Sequence, residues 1–297
     1  MMAWSRMSRR VFRVTPYLVL LSALAVTLCA AVSAAQAPPA SAADDAGPRV
    51  RHYNVLGRTG LRVSDISFGA GNVSDPALIE YALDRGINYF DTAESYGRQR
   101  SESAIGQVAA RRRGEMVICT KFEMNEQTTL EEMVTRLDAC LARLQTSYVD
   151  ILMVHGGSSE ALHNEAVFAG FDSLKQAGKI HFCGISHHGP NISGELMPLI
   201  EANKVDVILC SYDPVGDPGL PAMLAAAREK GIGLVAMKVI TSAQKTELPE
   251  FTSGQHPFHI AALRWGLKTS GMHCLIPSMN MMDQVDEYLL ASGAANE

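Results

Sequence analysis

The sequence predicts an α/β fold, a (β/α)8 TIM barrel with an N-terminal β-hairpin, on three observations. Short apolar runs of strand length recur eight times, at 66–70, 87–91, 116–121, 148–155, 180–185, 206–212, 233–239 and 273–277. Segments with apolar residues at three- and four-residue intervals separate them, and such alternation makes neighbouring strands parallel. Eight strand–helix units in about 230 residues match the barrel. A doubly wound sheet is the competing architecture, but it carries G-x-G-x-x-G after its first strand. Here "GAGNVS" (69–74) has the first two glycines and then Ser74.

Residues 1–37 read as a signal peptide. Arg6, Arg9, Arg10 and Arg13 precede an apolar stretch from Tyr17 to Val32, and "VSA" (32–34) and "AQA" (35–37) offer small-residue cleavage sites. The stretch is shorter than the about 20 residues a membrane span needs, so no stable membrane anchor is expected after cleavage. Within it "SRRVFR" (8–13) resembles a twin-arginine export signal, which implies the twin-arginine export machinery as a partner and a periplasmic destination. Cys29 follows Leu28, a larger residue than lipoprotein signals carry there. Residues 38–50, within an alanine- and proline-rich stretch, read as a disordered linker, and 51–297 as the barrel domain.

The barrel's elements follow in order. "RHYNVLGRTGLRVSDIS" (51–67) reads as the hairpin, turning near Gly57–Gly60. Asp75 before Pro76 marks a helix start. The clearest helix is 129–145, with Leu130, Met133, Val134, Leu137, Leu141 and Leu144 at helical spacing and a Thr129/Glu132 capping box. Further helices fit 101–112, 164–178, 192–203, 220–230, 258–270 and 282–292.

Composition narrows the function. The 297 residues are 47% hydrophobic and 19% charged, with a net charge of -5, of which the first 49 residues contribute +3. The body is therefore acidic, which gives no reason to expect nucleic acid or anionic lipid as partner. Cys119, Cys140, Cys183, Cys210 and Cys274 form no C-x-x-C and lie in apolar runs, so they read as buried free thiols. His187–His188 and His256/His259 lack a third ligand at suitable spacing, and no metal is expected. No H-E-x-x-H, P-loop or G-x-S-x-G is present.

Barrels of this kind place their chemistry at the carboxyl ends of the strands. Three consecutive predicted strands end in Asp91, Lys121 and His155, and Tyr96 lies in the loop after the first of them. Together they make a coherent acid. A tyrosine donates protons poorly at neutral pH, and an ammonium beside its oxygen is expected to lower its pKa. Asp91 would keep Lys121 charged in a poorly solvated cleft, and His155 would hydrogen-bond a substrate oxygen. Such a set puts a proton on an oxygen that is gaining negative charge, as when a carbonyl receives hydride.

"FDTAESYG" (90–97), "CTKF" (119–122) and "YVDILMVHG" (148–156) resemble the motifs of the aldo-keto reductase family, over roughly residues 51–292. The resemblance implies Asp91, Tyr96, Lys121 and His155 as a catalytic tetrad. It also implies a nicotinamide cofactor extended across the barrel mouth and reduction of an aldehyde or ketone, a small carbonyl substrate, to an alcohol. By the same resemblance Ser186 and His187 stand where many members have a serine–asparagine pair holding the carboxamide. Leu209 replaces a strand-6 glutamine, Met237 a stacking tyrosine, and Lys238 falls beside the pyrophosphate. Ser278 and Gln284 occupy positions of common cations at the adenosine phosphate, and Glu287 is retained there. NADP(H) is accordingly preferred over NAD(H) only by a narrow margin. "AMK" (236–238) resembles a branch that often carries a C-terminal iron–sulfur module, which is expected to be absent, since no cysteine cluster precedes Glu297. Two other readings compete: a nicotinamide-binding sensor or partner subunit with little turnover, and a barrel hydrolase using Asp91 and Glu94.

Overall fold

The computed structural model describes residues 47–156, 164–246, 251, 254 and 256–297; the predicted signal peptide, Cys29 and most of the linker lie outside the described residues. The hairpin forms as expected. Strands β1 (Tyr53–Val55) and β2 (Arg62–Ser64) pair antiparallel around a 3-10 turn that ends at Gly60. Its apolar side chains, Leu56, Leu61 and Val63, belong to the same buried column as Val117, Ile151 and Val207 inside the barrel, so the hairpin floors the amino-terminal end. The fit is close. A Cβ on Gly233 would lie 2.7 Å from Leu56 Cγ, so only glycine admits the floor at that point.

All eight predicted runs become parallel strands of one sheet: β3 (Phe68–Gly69), β4 (Tyr89–Asp91), β5 (Val117–Phe122), β6 (Val149–His155), β7 (Ile180–His187), β8 (Val207–Ser211), β9 (Gly233–Met237) and β10 (Cys274–Leu275). Single parallel bridges, Ile66 to Leu275 and Gly69 to Ser278, join the two edge strands and close the ring. The first and last runs contribute only two ladder residues each, and one of each pair, Gly69 and Leu275, also carries a closing bridge.

The helices lie between strands: α1 (Pro76–Asp84), α2 (Arg100–Arg112), α3 (Leu130–Leu144), α4 (Glu165–Gln176), α5 (Ile192–Glu201), α6 (Leu220–Glu229), α7 (Val239–Ala243), α8 (Phe258–Thr269) and α9 (Met282–Leu289). Asp75 caps α1 by accepting from Ala77 N at 2.9 Å. Thr129 caps α3 by accepting from Glu132 N at 3.3 Å. The reciprocal half of that capping box is replaced by an ion pair from Glu132 to Arg136, one turn on. Helix α7 departs from the sequence expectation, in which 233–239 is strand throughout. The strand stops at Met237 because Lys238 turns left-handed, with φ 58°.

Side chains alternate along each strand between two apolar layers. Phe90, Ile118 and Leu152 point out beneath the helices, while Tyr89, Val117, Cys119, Ile151 and Met153 fill the barrel. Each fully buried leucine or isoleucine here contributes about 2 kcal/mol relative to exposure. The five cysteines of the body are buried and unpaired, as expected. Burial raises the thiol pKa values, to about 12 at Cys119 and Cys210 and about 11 at Cys183. No helix among the described residues is long and apolar enough to cross a membrane, and no three of their metal-binding side chains are grouped.

Candidate active site

The alternation that fills the barrel also builds the site. Two residues beyond Tyr89, Cys119 and Met153, the same inward face carries Asp91, Lys121 and His155 at the carboxyl ends of β4, β5 and β6. Lys121 is 0% exposed and Asp91 2%. The lysine Nζ donates to both carboxylate oxygens of Asp91 at 2.7 Å and to the Thr92 carbonyl at 2.8 Å, so all three of its N–H bonds have acceptors. Burying such a charge is tolerated only when it is paired and hydrogen-bonded in this way. Burial pulls the Lys121 pKa down, but Asp91, Tyr96 and Cys119 outweigh it and push the value up to about 12. Burial raises Asp91 above the ordinary carboxylate value, against the opposing pull of Lys121.

Tyr96 opens a 3-10 turn (Tyr96–Gln99) after β4 and is half-buried. The Lys121 ammonium lies over its ring, 4.8 Å from the centroid, and the His155 ring meets it edge-on at 5.5 Å and 84°. The four residues named from the sequence therefore form one contiguous group. One expectation about them is corrected. The Tyr96 pKa is raised, because burial of the phenol outweighs the lowering by Lys121. The phenol thus keeps its proton at neutral pH and loses it only to a strong acceptor. His155 is held down to about 4 by burial, by repulsion from Lys121 and by His188, so it is a neutral imidazole with one N–H to donate. Glu94, the second carboxylate of the hydrolase reading, is held by Arg136 at 2.5 and 3.1 Å.

A cavity of about 400 Å3 opens over this group. Its lining includes Asp91, Tyr96, Gly71, Met237, Lys238 and Ser278. Three of the predicted cofactor residues, Met237, Lys238 and Ser278, thus share a cavity with Asp91 and Tyr96. Ser186 is buried on the inward face of β7, in register with His155. The remaining three are engaged elsewhere. His187 faces the helix layer, its Nε2 3.2 Å from Glu195 Oε2 on α5. Gln284 accepts from Asn280 N at 2.8 Å, and Glu287 pairs with His259 at 2.6 Å. Two contributors had no visible signal in the sequence: the Thr92 carbonyl, because a backbone acceptor has no residue signature, and α7, whose Ile240 and Thr241 line the cavity.

A nicotinamide dinucleotide fits these residues. The Met237 thioether offers a soft surface for a ring face, and Lys238 is an exposed cation without a partner among the described residues.

The family model described as Aldo/keto reductase family matches residues 72–259. The L-galactose dehydrogenase of Arabidopsis thaliana is 31% identical over 260 residues, 80% of this chain and 79% of that protein. Among solved structures, the holo form of an aldo-keto reductase from Bacillus halodurans has a TM-score of 0.68 at 22% identity, covering 81% of this chain and 90% of that one. An aldo/keto reductase from Klebsiella pneumoniae in complex with NADP and acetate has a TM-score of 0.65 at 18% identity, covering 81% and 89%. At those identities the two structures speak for the fold.

Proposed function

The chain belongs to the aldo/keto reductase family and is an NAD(P)-dependent oxidoreductase of that kind, and from that premise we propose that it reduces a small aldehyde or ketone to the alcohol, with Tyr96 as proton donor. The observation that carries the reading is the Lys121 ammonium, fully buried, bonded to Asp91 on one side and lying over the Tyr96 ring on the other. The Arabidopsis relative is named as a dehydrogenase, which supports a carbonyl–alcohol conversion in one direction or the other.

When bound, the nicotinamide supplies hydride to the carbonyl carbon. The chain's own residues manage the oxygen. His155, neutral, donates its N–H to the carbonyl oxygen and orients it. As negative charge grows on that oxygen, Tyr96 transfers its phenolic proton to it. Lys121 stabilises the phenolate left behind, and Asp91 and the Thr92 carbonyl fix the ammonium so that it need not reorganise. Lys238 would hold the pyrophosphate, with Met237 against the ring and Ser186 at the carboxamide. Ser278, Gln284 and Glu287 would stand at the adenosine end. NADP(H) is placed narrowly ahead of NAD(H). The Klebsiella protein's NADP supports that order, and the lack of a cation at Ser278 and Gln284 keeps the margin small. Export through the twin-arginine machinery to the periplasm belongs to the same proposal and rests on residues 1–37.

The test is Tyr96→Phe, assayed for NAD(P)H oxidation on a panel of carbonyl compounds, with cofactor binding followed by fluorescence. Loss of turnover with binding retained supports the assignment; full activity in the variant overturns it. The sensor reading draws on His187, which faces Glu195 and not the cavity, leaving the carboxamide fewer contacts. It predicts bound dinucleotide and no turnover in the wild type on the same panel.

A further inference from the structure

Five non-glycine residues of the described chain have left-handed backbones. Gln145 and Asn203 do so at the ends of α3 and α5, where helices commonly turn off. The other three, Arg98, Gln99 and Lys238, stand at the carboxyl end of the barrel, after β4 and β9. With Gly97 (φ 55°), Arg98 (φ 56°) and Gln99 (φ 71°) make three consecutive left-handed residues directly after the proton donor. A side chain with a Cβ disfavours this conformation, and such strain gathers where a side chain must be presented for function.

The side chain presented is a cation. Arg98 is exposed, and its guanidinium has no hydrogen bond or ion pair among the described residues. The one carboxylate of the loop between β4 and α2, Glu94, is taken by Arg136. The loop also lies at the cavity rim. A Cβ on Gly97 would come 3.7 Å from the Val73 carbonyl, in the segment after β3 whose Gly71 lines the cavity with Tyr96. The body of the chain is acidic, so an anion approaching this mouth needs a local cation to be held.

We propose that Arg98 determines substrate class: the carbonyl compound carries a carboxylate, which the Arg98 guanidinium binds while the carbonyl meets Tyr96 and His155. A guanidinium matches a carboxylate through two parallel N–H donors. Lys238, across the cavity, is left for the pyrophosphate. This inference rests on the carbonyl-reduction reading of the site.

The experiment compares succinic semialdehyde with its methyl ester as substrates of the full chain, in the wild type, Arg98→Asn and Arg98→Lys. Asparagine accepts the left-handed backbone, so the charge is removed without adding strain, and circular dichroism checks the fold. The wild type is expected to favour the acid over the ester in kcat/KM by about tenfold or more, as a charge-assisted bidentate contact gives. Arg98→Asn should collapse that ratio through the KM of the acid, and Arg98→Lys should restore part of it. A wild-type ratio near one, or a ratio unchanged in Arg98→Asn, overturns the proposal while leaving the reductase reading intact. If the wild type reduces neither compound nor any other carbonyl with either dinucleotide, the reductase reading falls and this inference with it.

Discussion

On the wall formed by β4, β5 and β6, Lys121 is fully buried with all three N–H bonds accepted, whereas across the cavity Lys238 stands exposed with no partner among the described residues. The same residue type serves two purposes by virtue of its surroundings. In the first wall each charge depends on another, so replacing one leaves its partner buried and unsatisfied. In the second, Met237, Lys238 and Ser278 are half-buried or exposed, and replacing them strands nothing. On the proposed function, the residues that handle the proton are thereby fixed, while those proposed for the cofactor are free to vary.

The largest expected effect breaks the first wall chemically. Tyr96→Phe removes the proposed general acid and should lower kcat by roughly a thousandfold, as such groups contribute, with dinucleotide affinity little changed in a fluorescence titration. Next comes stability. Asp91→Asn leaves the Lys121 ammonium buried without its counter-charge and should destabilise the fold by about 3 kcal/mol in urea denaturation. Lys238→Ala should stay within about 0.5 kcal/mol of wild type. Equal costs for the two variants would dissolve the contrast between the walls.

A third test uses pH. His155 titrates at about 4 in the fold but near its ordinary value of 6.5 when unfolded. Between those values the unfolded chain binds the additional proton, so this contribution to stability is present above pH 6.5 and lost as pH falls toward 4. Denaturation curves of His155→Gln should show a weaker pH dependence in that window. Lys121 acts at the other end of the scale. Its contribution is complete below 10.5 and is lost as pH rises through about 12. The smallest effect belongs to the second wall. Ser278→Arg should shift the Kd ratio of NADH to NADPH several-fold toward NADPH, the range an exposed cation gives to a phosphate. No shift would remove Ser278 from the adenosine end.

Much of this was readable from residues alone, for a physical reason. The period of two along β4, β5 and β6 that fills the barrel with Tyr89, Cys119 and Met153 also carries Asp91, Lys121 and His155 to its rim, so strand ends locate three of the four candidate residues. What could not be read was balance and direction. The raised Tyr96 pKa is a contest between burial and Lys121 that spacing does not weigh. His187 follows an inward serine on a strand and so faces outward, toward Glu195. Gln284 and Glu287 have local partners, Asn280 N and His259, that no motif announces. The left-handed turn at Lys238, which ends β9 and starts α7, is a backbone event at a residue type that rarely signals one.

The buried thiols carry a consequence for how this chain ages in an oxidising solution. While it is folded, Cys119, Cys140, Cys183, Cys210 and Cys274 are shielded and almost wholly protonated, so neither oxidants nor mixed disulfides find a thiolate to attack. Once unfolded, all five become ordinary reactive thiols with no native partner, and any disulfide they form is a wrong one. Loss of the native state is then one-way, and the lifetime of the protein outside a reducing environment is governed by how fast it opens.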